Sequence, residues 1–175
     1  MKSSLDTLLA AYPRLDARDA DMATRLAAFL AREPKAYDRD PHTGHVTGSA
    51  FCTSPCCGFA LLLHHAKLDR WLQPGGHCDG ERDVAAVAAR ELFEETGLNA
   101  RLVSPAILDV DIHEIPARST DPAHFHYDIR FHFEAAKDAP LVQNPESKAL
   151  AWVPVSELTT RAGPSVSIMA EKLFR

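Results

Sequence analysis

The sequence predicts an α/β sandwich built on a mixed sheet, with a helical extension at its N-terminus. Short strand-like runs after residue 44, a strong helical stretch among them, and apolar residues at helical spacing before residue 33 together predict it. Strands and helices mixed in this order imply helical layers packed on a sheet.

From Ser4 to about Arg32, Leu5, Leu8, Leu9, Tyr12, Met22, Leu26, Phe29 and Leu30 recur at the period of amphipathic helices. Pro13 and Pro34 punctuate the pattern, which divides into two helices within an extension of residues 1–42. That extension either caps the main domain, residues 43–175, or forms a homodimer contact. After the loop from Ala36 to Gly44, Val46–Cys52 and Phe59–His65 read as strands around Ser54-Pro55-Cys56-Cys57-Gly58, a turn-rich break that predicts a β-hairpin. Trp71-Leu72 is an apolar strand that runs into a Pro74-Gly75-Gly76 turn, where bare backbone can approach a ligand closely. Asp83–Thr96 reads as a helix, and Leu102–His113 as one strand. In the next strand, Phe125–Glu134, alternating Phe125, Tyr127, Ile129, Phe131 and Phe133 fill one face. Ala149–Val153 is a short strand and Ser165–Phe174 a closing helix.

At 175 residues and 46% hydrophobic content the chain can bury one sizeable core. A net charge of -5 leaves no basic surplus to neutralise a phosphate backbone, so nucleic acid is not the expected partner. Met1 to Leu15 contains Asp6 and lacks a long apolar run, and no later stretch approaches the roughly 18 apolar residues of a membrane span. The expectation is a soluble cytoplasmic protein with no membrane contact. Cys52, Cys56, Cys57 and Cys78, with His77 beside the last, raise the question of zinc. Adjacent Cys56 and Cys57 point apart in an extended chain and no second tight ligand pair completes a tetrahedral set, which favours unligated thiols. A disulfide framework is not expected without a secretory signal.

The predicted helix carries its chemistry near its C-terminal end. Ala85, Ala88, Ala89 and Leu92 mark a core face, while Glu91, Glu94 and Glu95, at i, i+3 and i+4, bring three carboxylates within one turn. These like charges repel, and they oppose the helix macrodipole. A compensating cation explains them, and carboxylate oxygens select hard ions such as Mg2+ or Mn2+. The plainer alternative is a solvated acidic helix end, helped by the Arg90–Glu94 pair and closed by Gly97 as C-cap.

Gly76 and the run Arg90-Glu91-Leu92-Phe93-Glu94-Glu95-Thr96-Gly97-Leu98 together resemble the signature of the Nudix hydrolase family. The resemblance extends loosely over residues 44–160 and implies a Nudix-type α/β/α sandwich. It implies that Glu94 and Glu95 bind divalent ions together with the carbonyl oxygen of Gly75. Glu91 would be a ligand or the base that deprotonates water, and Arg90 would orient the glutamates. Glu146, shortly before Trp152, is the candidate for a further carboxylate from a loop beyond the box. One position departs from the signature: Arg82 stands where its first Glu is expected, between Glu81 and Asp83. Either fewer metals bind, or Glu81 or Asp83 substitutes after a small loop shift.

The implied function is Mg2+-dependent hydrolysis of a phosphoanhydride in a nucleoside diphosphate linked to another moiety, whether a nucleoside triphosphate, a dinucleotide or a nucleotide sugar. Chemically, bound Mg2+ neutralises phosphoryl oxygens and lowers the pKa of a coordinated water. The alternatives are an isopentenyl diphosphate isomerase-like enzyme using Cys78, a non-catalytic nucleotide-binding module, and an enzyme acting on RNA caps or 5′-triphosphates. His124, His126, Asp128 and His132 share the strand face opposite the aromatic row, either as a polar floor for substrate or as the solvated face of an edge strand. His64 and His65 read as structural or surface residues.

Overall fold

The computed structural model describes residues 4–39, 43–117 and 122–175. Helices α1 (Leu5–Ala11) and α2 (Ala17–Arg32) open the chain, and both begin with a side-chain cap: Ser4 accepts the amide N–H of Thr7, and Asp16 that of Asp19. The strands are β1 (Gly44–Thr53), β2 (Phe59–His65), β3 (Arg70–Leu72), β4 (Gly75–His77), β5 (Arg101–Leu102), β6 (Asp109–Ile115), β7 (His124–Glu134) and β8 (Ser147–Pro154). Helix α3 (Val84–Thr96) follows β4, while α4 (Leu158–Ala162) and α5 (Pro164–Leu173) follow β8. No helix among the described residues is long and apolar enough to cross a membrane.

The sheet is mixed. Strands β1 and β7 run parallel over their length, from Gly44 opposite Phe125 to Thr53 opposite Glu134, while the other pairings are antiparallel. The expected hairpin of β1 and β2 closes only at its tip, where Thr53 faces Ala60. The strands then part: β2 pairs with β3 and β8, and β4 takes the place beside β1. Gly75 and Gly76 are therefore ladder residues, opposite Ser49 and Gly48, rather than part of a turn.

The single strand expected over Leu102–His113 is two. Pro105 has no N–H to give a ladder, so the chain leaves β7 after β5 and returns at β6, with Val103 N–H donating to the His132 carbonyl and Leu108 N–H to that of Arg130.

Two apolar cores lie on opposite faces of the sheet. Val46, Ala50 and Cys52 of β1 join Tyr127, Ile129, Phe131 and Phe133 of β7 beneath α1, α2 and α3. Phe29 of α2 is fully buried and stacks on Tyr127 with ring centroids 3.9 Å apart. Phe51, Leu62 and Val153 meet Leu158, Val166 and Met169 of α4 and α5 on the other face. Phe125, expected in the aromatic row, is 38% exposed at the start of β7.

Buried charges lock the helices to the sheet. Lys172 of α5 donates to Tyr12, Asp19 and Asp109, and Arg18 of α2 reaches Asp109 and Asp111. Arg130 of β7, 2% exposed, donates to Asp109, Asp111 and Asp128 and to the Ser165 carbonyl. Removing one partner from such a network strands a buried charge, at a cost of about 3–5 kcal/mol.

Candidate active site

Helix α3 can lie on β1 because Gly48 leaves room: a Cβ there would stand 2.8 Å from the Val84 carbonyl oxygen. Val84, Val87, Ala88 and Leu92 are buried against the sheet, while Ala85 and Ala89 sit half-buried at the edge of that contact. This rotation carries the acidic turn to β4. Glu95 is 6% exposed and its Oε2 accepts the Gly75 N–H at 2.9 Å. Glu91 lies against Gly76, where an added Cβ would displace its carboxylate from this position. Glu94, one step outward, is more than half exposed.

Arg90 ties these pieces together. Its Nη2 donates to Glu91 Oε1 at 2.8 Å and to the His77 carbonyl at 2.9 Å, and its Nε lies 3.8 Å from Glu94 Oε1. The helix ends at Gly97, whose φ of 74° suits glycine and whose N–H donates to the Phe93 carbonyl at 2.7 Å. Val142 N–H donates to the Thr96 carbonyl and the Asn144 amide to that of Glu94, which draws the loop bearing exposed Glu146 to the helix end.

The electrostatics follow from this crowding. Burial pushes the Glu95 carboxyl up to about 8, against the Gly75 hydrogen bond and with help from Glu91, Glu146 and Glu94. Burial also raises Glu91, opposed by Arg90 and reinforced by Glu94 and Glu146. Converging, partly desolvated carboxylate oxygens that resist ionisation together are a donor set suited to a hard divalent cation.

Arg82 stacks its guanidinium over Tyr37, 5.2 Å from the ring centroid. Its neighbours start the helix: Glu81 Oε1 accepts the Asp83 N–H at 2.8 Å, and Asp83 Oδ1 accepts the Ala86 N–H at 3.1 Å. Both carboxylates are thus engaged at the end of α3 opposite to Glu91, Glu94 and Glu95.

The polar face of β7 is not that of an edge strand, because β1 lies on one side of β7 and β5 and β6 on the other. Asp128 is 3% exposed, and its Oδ1 accepts Thr47 and Ser49 hydroxyls at 3.0 and 2.7 Å. His132 pairs with Thr53 Oγ1 at 2.9 Å. Thr47, Ser49, Arg130 and Gln73, whose amide reaches Ser49 and Asp128, had not been singled out from sequence. The alternation His45-x-Thr47-x-Ser49 in β1 was the available signal. His64 stacks on Trp71, and His65 Nδ1 accepts the N–H groups of Lys67 and Leu68 in the following turn. Cys52 and Cys78 are buried thiols that burial pushes up to about 12.

A family model for the NUDIX domain matches residues 51–172. Comparison with curated proteins finds no match. Among solved structures, a NUDIX-family hydrolase from Clostridium perfringens is 25% identical with a TM-score of 0.53, covering 74% of this chain and 96% of that one. The MutT protein of Methanosarcina mazei Go1 is 20% identical with a TM-score of 0.58, covering 76% and 94%. The E. coli dihydroneopterin triphosphate pyrophosphohydrolase is 15% identical with a TM-score of 0.59, covering 73% and 92%. With well over half its length matched, the chain belongs to the Nudix family of hydrolases.

Proposed function

We propose that the protein hydrolyses a phosphoanhydride bond in a nucleoside diphosphate linked to another moiety, with Mg2+ as the working ion and Mn2+ as a substitute. The observation that carries this reading is the packing of Glu91 and Glu95 against the Gly75–Gly76 strand, with Glu94 on the same helical turn and Glu95 held near pKa 8 by burial. Glu94, Glu95 and the Gly75 carbonyl would hold the ion, with Glu91 as ligand or base and Glu146 as an added carboxylate. When bound, the divalent ion offsets charge on phosphoryl oxygens and makes a coordinated water more acidic.

The remaining roles belong to the chain itself. Arg90, anchored on the His77 carbonyl, holds Glu91 in place and keeps the helix against β4. Glu91, with its raised proton affinity, is suited to accept a proton from the attacking water. Gly76 leaves the space that brings Glu91 to the strand. Cys78 is buried in the apolar core with its thiol pushed up to about 12, which gives the isomerase reading no support.

A panel of nucleoside triphosphates, dinucleotides and nucleotide sugars, assayed with Mg2+ and with Mn2+ and scored by product mass, tests the proposal. Turnover of at least one member, lost in Glu94→Gln, is expected. Tight nucleotide binding without turnover would support the non-catalytic module instead.

A further inference from the structure

We propose that His45, His77 and His126 form a second metal site, which takes a divalent transition ion such as Zn2+ through imidazole nitrogens. The site uses none of the clustered carboxylates, although His77 shares β4 with Gly75, and it does not depend on the hydrolase reading above.

The sheet register builds it. His45 of β1 stands opposite His126 of β7, and His77 of β4 opposite Thr47, two residues along β1 from His45. Alternation therefore places the three side chains on one face. Their ring centroids are 4.8–5.2 Å apart, and one ligand atom from each lies within 4.8 Å of the others. Four-coordinate zinc with bonds of about 2.0–2.1 Å sets its nitrogens about 3.4 Å apart, a gap that modest ring rotations close.

A second observation points to a ligand. His45 is 4% exposed, and both its ring nitrogens are buried without a hydrogen-bond partner among the described residues. Such orphaned polar atoms cost free energy unless something meets them. Burial, first, and the neighbouring imidazoles, second, hold His45 down at about 4 and lower His126 further. His45 and His126 thereby keep lone pairs to offer a cation.

Two more histidines flank the triad, each with its Nδ1 already engaged. His124 lies 5.0 Å from His45, and its Nδ1 is 2.9 Å from the Pro122 carbonyl, which accepts its proton and leaves Nε2 as acceptor. His113, 5.6 Å from His126, is held in the same way by Asp111 Oδ2 at 3.1 Å. Imidazole donors suit Zn2+, Ni2+ and Cu2+ better than Mg2+, so the two clusters select different ions.

Equilibrium dialysis of the full chain against Zn2+ alone, with Co2+ absorption as a second probe, tests the site. About one equivalent of Zn2+ is expected per chain, with the intense visible bands of a four-coordinate Co2+ complex. His77→Asn and His126→Asn should each weaken binding at least about tenfold, while Glu94→Gln with Glu95→Gln leaves it unchanged. Histidine 15N shifts of the wild-type protein on adding Zn2+ give a readout that does not depend on a variant folding. Zn2+ lost with the glutamates and kept without the histidines would overturn the proposal, as would no Zn2+ binding or unperturbed ring nitrogens.

Discussion

The acidic turn of α3 and the histidine face of β1, β4 and β7 both crowd titratable groups, and they resist charge in opposite directions. Burial makes Glu95 and Glu91 reluctant to ionise, whereas it makes His45, His77 and His126 reluctant to accept protons. One cluster gathers carboxylate oxygens and the other imidazole nitrogens, and β4 serves both through Gly75 and His77. On the two proposals above, the same desolvation prepares two donor sets for two kinds of cation.

The largest expected effect separates the clusters directly. Glu95→Gln should lower kcat/KM on the order of 10²–10³-fold, the range seen when a preorganised electrostatic group is removed from an active site. Zn2+ binding in the same variant should be unaltered; joint loss in steady-state rate and dialysis would merge the two sites into one. Gly76→Ala comes next, with a loss of roughly tenfold or more, since the added methyl meets the Glu91 carboxylate. Wild-type rates in that variant would show that the Glu91–β4 contact does not matter.

The smallest effect is on stability against pH without metal. Glu95 has its folded pKa raised from 4.5 to about 8, so its contribution is complete below 4.5 and is lost as pH rises to 8. His45 is depressed from 6.5 to about 4, so its contribution is complete above 6.5 and is lost as pH falls to 4. In chelator, Glu95→Gln should flatten the alkaline limb of a Tm profile and His45→Asn the acid limb, each by a few degrees at about 2–4 °C per kcal/mol. Parallel profiles for wild type and both variants would contradict the burial argument.

The two regions also differ in how far they could be read from sequence. Glu91, Glu94 and Glu95 are neighbours through the helical period alone, so their convergence, the Arg90 pairing and the Gly97 cap were legible along one stretch of chain. The N-terminal helices were legible for the same reason, because their caps and apolar spacing are local. His45, His77 and His126 meet only through strand register, which no local pattern specifies when β1 leaves its hairpin partner to pair with β4 and β7. Arg130 was missed likewise: its carboxylate partners Asp109 and Asp111 come from β6, across a break at Pro105 that strand alternation does not foretell.

The most direct measurement is an anomalous difference map from a crystal soaked in Mn2+ with a non-hydrolysable dinucleotide. Density among Glu91, Glu94 and Glu95, with the diphosphate against it, is the predicted result. Glutamates turned to solvent with no ion between them, in a protein that still cleaves its substrate, would contradict the assignment.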